Sequence, residues 1–150
     1  MKYISKTEKE TYQIADKLAK KLRGGEIIAL EGDLGAGKTT LVKGLARAFG
    51  IKQHVTSPTF VLMKVYQVTK PACRQAGKKL KVKELIHVDC YRLDDPQELF
   101  YLGIEEYLNK PDIIVVIEWA DKIKKYLQKF KKIIWIKIVI IKGRRIFKIK

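Results

Sequence analysis

EGDLGAGKTT, residues 31 to 40, follows a short apolar run and opens an amphipathic one. Gly32, Gly37, Lys38 and Thr39 stand at the spacing GxxxxGK[ST], the pattern of a loop that wraps phosphate groups between a strand and a helix. The flanks supply both elements. Ile27, Ile28, Ala29 and Leu30 form a strand-like run. Leu41, Val42, Leu45, Ala46 and Phe49 recur at helical spacing and end at Gly50, a suitable C-terminal cap.

The chemistry of phosphate binding explains these residue types. Glycine at 32, 35 and 37 lets the backbone take conformations closed to other residues, so that successive N–H groups can turn inward around an anion. The following helix adds its positive end. Lys38 is long enough to reach the β- and γ-phosphates, and the Thr39 hydroxyl is placed to ligate Mg²⁺; Thr40 is the less direct candidate.

Working outward, two further strand-like runs end in carboxylates. Leu85 to Asp89 reads as a short strand closing on Asp89, and Ile113 to Ile117 as a fully buried parallel strand followed by Glu118 and Trp119. Ligands of open α/β sheets bind at that edge, so Asp89 and Glu118 are candidates to hold Mg²⁺ or orient a water; a turn cap and a structural ion pair are the alternatives. Between the loop and these strands lies HVTSPTF, residues 54 to 60, where Pro58 disfavours helix. Ser57 or Thr59 could approach the metal or the γ-phosphate as switch loops do, or the segment is a plain loop. His87 is expected to be a packed strand residue.

The rest of the chain reads as scaffold. Residues 7 to 22 carry Ile14, Ala15, Leu18, Ala19 and Leu22 at helical spacing, with Thr7 and Glu10 as a capping box and Gly24-Gly25 as the stop. Val61 to Val68 alternates like a strand, Asp95-Pro96 opens a helix, and Ile133 to Lys150 reads as two strands joined near Lys142-Gly143. Residues 69 to 83 fit least well and are expected to be a flexible hairpin insertion. The pair Arg144-Arg145 could reach phosphate or be solvated, and is expected to be solvated. Asn109-Lys110-Pro111-Asp112 matches the guanine-reading NKxD, but it precedes a strand where that motif should follow one, so it is expected to be a turn and adenine is preferred to guanine.

Composition bounds these expectations. The chain has 150 residues and reads as one domain over 1–150, with no long apolar span and no signal-like start, hence cytoplasmic and away from membranes. Cys73 and Cys90 lack metal-ligand spacing and are expected to be reduced thiols. The net charge is +16, concentrated in residues 64–83 and 122–150. Such a surface attracts nucleic acid or acidic partners, although compositional drift explains it equally well.

Taken in order, GDLGAGKTTLVKGLA, SPTF, HVDCYRL, LGIEEYL and IEWADKI resemble the TsaE family, formerly YjeE, the bacterial P-loop ATPases of tRNA threonylcarbamoyladenosine synthesis. The resemblance spans roughly residues 8 to 125. It implies an α/β, P-loop NTPase-like fold: a mostly parallel sheet flanked by helices, to which the tail adds an antiparallel C-terminal hairpin. It implies an Mg-dependent ATPase that cycles the TsaB and TsaD proteins as they modify adenosine 37 of tRNA. Asp33, Leu34, Gly35, Ala36, Gly37, Lys38, Thr39 and Thr40 would hold ATP or ADP, with Thr59 in a switch-like loop and Trp119 packed near the nucleotide. Thr39, Asp89 and Glu118 would serve Mg²⁺, and Lys38, Glu118 and Asp89 would be catalytic. A shorter hairpin is expected of the family at residues 70 to 82, and its members lack this heavy positive charge, so tRNA is a further candidate partner, met directly or through the complex. Two alternatives stay open: a small-molecule or nucleotide kinase, and a basic nucleotide-gated RNA-binding module.

Overall fold

The apolar runs of this chain sort themselves onto the two faces of one sheet. In the computed structural model, which describes residues 1–69, 74–75, 78–79 and 82–150, seven strands pair in the order β1-β9-β8-β2-β7-β6-β3. They are β1 (Lys2–Ser5), β2 (Ile27–Glu31), β3 (Met63–Gln67), β6 (Glu84–Asp89), β7 (Ile113–Glu118), β8 (Ile133–Ile141) and β9 (Arg144–Ile149). The central strands β8, β2, β7 and β6 are parallel, while β1, β9 and β3 join antiparallel at the edges. The mixed α/β architecture with a C-terminal hairpin is therefore the one expected. The insertion at 69–83 falls largely outside the described residues; within it, β4 (Arg74–Gln75) and β5 (Lys78–Lys79) pair antiparallel. Cys73 also lies outside the described residues.

Helices cover both faces, which is why β2 and β7 are apolar without alternation. On one face, α1 (Glu8–Ala19) and α2 (Lys38–Ala48) bury Ile14, Ala15, Leu18, Leu41, Leu45 and Phe49 against Ile28, Leu30, Ile136, Ile138 and Phe147. On the other, α3 (Gln97–Tyr101), a 3₁₀ turn at Ile104–Glu106, another at Ala120–Ile123 and α4 (Lys124–Leu127) bury Leu99, Ile104, Ile123 and Leu127 against Ile27, Ala29, Ile86, Val115 and Ile117. Among the described residues, no helix is long and apolar enough to cross a membrane.

Local chemistry sets the ends of these elements. Thr7 accepts from the Glu10 N–H at 3.2 Å, and Glu10 reaches back to the Lys6 N–H at 2.6 Å, one residue before the cap itself. The first helix stops at Ala19 rather than at residue 22, because Lys21 and Leu22 close tighter turns onto Leu18 and Ala19. The β3 strand is shorter than the alternation suggests, since Val61 and Leu62 both donate to the Pro58 carbonyl in a turn. Beyond α3, Gly103 takes a left-handed conformation (φ 75°), so the helix does not continue but restarts as a 3₁₀ turn.

The NKPD tetrapeptide is a turn at the rim opposite the phosphate loop. Asn109 is left-handed (φ 65°), and a Cβ at Gly24 would stand 2.0 Å from the Pro111 carbonyl oxygen, so this turn packs on the Gly24-Gly25 corner.

The α1–α2 crossing depends on Gly44, where an added Cβ would stand 2.6 Å from the Ala15 Cβ and 3.0 Å from the Tyr12 ring. Gly44→Val regains only part of the ~1 kcal/mol helix penalty of glycine. Overpacking costs about 1–3 kcal/mol. The melting temperature is expected to fall by several degrees in a thermal melt followed by circular dichroism.

Candidate active site

Strand β2 delivers the phosphate loop to the C-terminal edge of the parallel strands, and α2 starts immediately beyond it. Gly37 is left-handed (φ 102°), as is Gly35 (φ 76°), so the loop turns as only glycine does easily. Gly32 answers a second demand: a Cβ there would stand 2.5 Å from the Ile138 carbonyl oxygen of β8. The loop thus packs flat against the neighbouring strand.

Register brings the two carboxylates to the same edge. Asp89 lies opposite Glu118 across β6 and β7, and Glu118 lies opposite Leu30 across β7 and β2. Both carboxylates are almost wholly desolvated, at 3% and 2% exposure, which requires polar partners for each. Glu118 accepts the Thr39 hydroxyl on both oxygens, at 2.9 and 3.0 Å, and takes His87 Nε2 on Oε1 at 2.8 Å. Asp89 accepts the hydroxyls of Ser57 and Thr59 on Oδ2, the latter at 3.0 Å, and the Tyr91 N–H on Oδ1 at 2.8 Å. The SPTF loop is thereby tied to the end of β6.

Lys38 completes the cluster. It is 4% exposed, and its ammonium donates to the carbonyls of Gly32 at 2.6 Å and Asp33 at 2.9 Å. The indole of Trp119 lies under it, 3.9 Å from ring centroid to Nζ, and the Tyr91 ring packs on Trp119 at 5.0 Å. Desolvation lowers the Lys38 pKa from the ordinary lysine value, and the negative charges of Glu118 and Asp89 act against that shift. Trp119 holds a left-handed backbone (φ 57°), which aims its ring back over the loop.

A cleft of about 310 Å³ opens over these groups, lined by Leu34, Gly35, Gly37, Lys38, Thr39, Thr40, Ser57, Thr59, Asp89, Tyr91, Glu118, Trp119 and Arg145. Of the residues expected here, two face elsewhere. The Asp33 side chain lines a neighbouring depression beside Lys137 and Ile138, and Ala36 is buried with its N–H donated to the Asp33 carbonyl at 3.1 Å.

Three residues have larger roles than their sequence context suggests. His87 is fully buried and hydrogen-bonded to Glu118, beyond mere strand packing. Tyr91 is a wall of the cleft. Arg145, expected to be solvated, instead lies along Gly37, with its Cδ and Nε 3.0 Å from where a Cβ would be. Its place five residues from the chain's last described position offered no motif; only the hairpin register reveals it. Cys90 is a free, buried thiol whose pKa burial pushes up to about 12, so it is unsuited to act as a nucleophile.

The donor set suits Mg²⁺. One hydroxyl and two carboxylates on rigid strand ends are hard oxygen ligands of the kind this ion uses together with phosphate oxygens and water. Among the described residues no group of three or more His, Cys, Asp or Glu side chains could cage a metal alone.

Comparison with known proteins agrees with this geometry. A family model described as "Threonylcarbamoyl adenosine biosynthesis protein TsaE" matches residues 5–146. The chain is 40% identical over 138 residues to the tRNA threonylcarbamoyladenosine biosynthesis protein TsaE of Aquifex aeolicus, covering 86% of this chain and 95% of that one. It is 38% identical to the protein of the same name from Bacillus subtilis, covering 85% and 71% of the two chains. The crystal structure of Bacillus subtilis YdiB superposes with a TM-score of 0.67 at 31% identity, covering 98% of this chain and 82% of that one. A phosphate loop, two strand-end carboxylates and a family match over nearly the whole length lead to one conclusion: the chain belongs to the TsaE family.

Proposed function

We propose that the protein is an Mg-dependent ATP hydrolase of tRNA threonylcarbamoyladenosine formation, whose turnover resets a TsaB–TsaD complex for repeated cycles in the cytoplasm. The observation that carries this reading is the convergence of Lys38, Thr39, Asp89 and Glu118 within one cleft at the sheet edge.

Each residue has a task that its present partners foreshadow. Lys38 already bonds oxygen atoms, those of the Gly32 and Asp33 carbonyls, and exchanging them for phosphate oxygens requires only a short movement of a flexible side chain. Mg²⁺, when bound, neutralises phosphate oxygens and lowers the cost of placing negative charge in the cleft. Thr39 and Asp89 would hold that ion, with Ser57 and Thr59 linking Asp89 to a loop able to respond to the γ-phosphate. Glu118, anchored by His87, would accept a hydrogen bond from the attacking water and orient it. Trp119 and Tyr91 would shield the phosphates from bulk water.

The test is release of phosphate from ATP and from GTP by the purified protein, alone and with TsaB and TsaD, with and without Mg²⁺. ATP turnover that rises with the partners and stops on chelation of Mg²⁺ is expected. No turnover of either nucleotide in the complete mixture, or transfer of phosphate to an added nucleoside, would overturn the reading.

A further inference from the structure

We propose that Arg145 is an anion-binding residue of this nucleotide site, reaching the phosphate chain from the C-terminal hairpin. The proposal rests on the nucleotide reading above and assigns to it a residue far outside the phosphate loop.

The hairpin fixes where this side chain goes. Lys142 (φ 48°) and Gly143 (φ 72°) are both left-handed, which makes the tight turn that holds strands β8 and β9 in register. In that register Arg145 lies opposite Ile140 on one side and Ser5 of β1 on the other. Alternate residues of a strand share a face, and Phe147 and Ile149 are buried in the core under α1 and α2. Arg145 therefore points to the same face, one step beyond the core, where the start of α2 lies.

Contacts confirm that placement. The stem of Arg145 crosses Gly37 so closely that a Cβ at position 37 would stand 3.0 Å from its Cδ and Nε, and the arginine would have to give way. Its Nε–H is buried and has no acceptor, and none of the ion pairs among the described residues involves it. Buried donors without a partner are uncommon, and a charged one is the more so. The guanidinium lines the cleft alongside Lys38, Thr39 and Thr40, whereas neighbouring Arg144 is exposed. A planar fork of donors beside the positive end of α2 suits a pair of phosphate oxygens, and the vacant Nε–H gives it one arm to spend there. Gly37 thus meets two needs at once, its own left-handed turn and the passage of this side chain.

Binding of ATP, ADP, adenosine and inorganic tripolyphosphate, measured by calorimetry in Mg²⁺ buffer, tests the assignment on wild type, Arg145→Gln and Arg145→Lys. Arg145→Gln is expected to weaken ATP, ADP and tripolyphosphate by about tenfold or more, the worth of one charge-assisted pair, and to leave adenosine unchanged. Arg145→Lys should recover only part of the loss. The melting temperature without ligand should not fall, because the variant removes a buried Nε–H that has no acceptor. A normal affinity for tripolyphosphate beside weakened ATP would mean that Arg145 stacks on the base, and equal ATP affinity in all three proteins would remove it from the site; either overturns the proposal while the nucleotide reading stands. Wild type that binds neither ATP nor tripolyphosphate would overturn the nucleotide reading and this proposal together.

Discussion

Replacing Lys38 by alanine is expected to lower ATP turnover by at least about a hundredfold, the usual cost of losing one donor aimed at developing charge. Nucleotide affinity should fall with it. Lys38 is the one ammonium among the described residues that line the cleft, it is held 4% exposed, and the two carboxylates beside it would otherwise repel a polyphosphate. The variant leaves the Glu118 and Asp89 carboxylates beside the phosphate chain without that counter-charge. Lys38→Met, which keeps the stem over Trp119, separates charge from packing. Equal loss in the two variants assigns the effect to the ammonium, and turnover retained in Lys38→Met would remove Lys38 from the chemistry. Phosphate release and calorimetric titration are the measurements, with circular dichroism melts to show that both variants fold.

Glu118→Gln is expected to separate binding from turnover. Hydrolysis should fall by about a hundredfold to ten-thousandfold, the range for removing a positioned proton acceptor. ATP should still bind, because the residue's size and its Thr39 bond can be kept by an amide oxygen. The amide also offers a donor where a carboxylate offers none, so one of the contacts from Thr39 and His87, which now converge on its two oxygens, must rearrange. A drop in kcat with KM nearly unchanged is the expected pattern in steady-state kinetics. A rise in KM alone would make Glu118 a binding residue only.

Much of this site is legible in the chain, because its chemistry is local. Gly32 to Thr39 forms a contiguous loop whose spacing carries its own reason, and the runs ending at Asp89 and Glu118 are apolar enough to read as buried strands. Register does the remainder, and register is not written in any one segment. Nothing near His87 names Glu118 as its partner, since the bond exists only because β6 and β7 lie side by side. Arg145 shows the same limit: a basic pair after a turn reads as solvated until the hairpin lays one member across Gly37. The short β3 escaped for another reason. Apolar periodicity continues through Val61 and Leu62, while a turn bonded to Pro58 breaks the backbone there.

The strand order also constrains how the chain comes together during synthesis. Strand β2, which carries the phosphate loop, pairs only with β7 and β8, and Ile27 meets Val115 on one side and Ile133 on the other. Edge strand β1 waits longer still, since Lys2 pairs with Lys148. Contacts this distant in sequence form late and slowly. While the ribosome is still making the middle of the chain, the Ile27–Glu31 strand has no neighbour to cover its edges, and it presents the kind of unpaired apolar surface that chaperones hold. The cleft at the sheet edge is thus among the last parts of the molecule to acquire its shape, since Glu118 and Trp119 arrive only with β7.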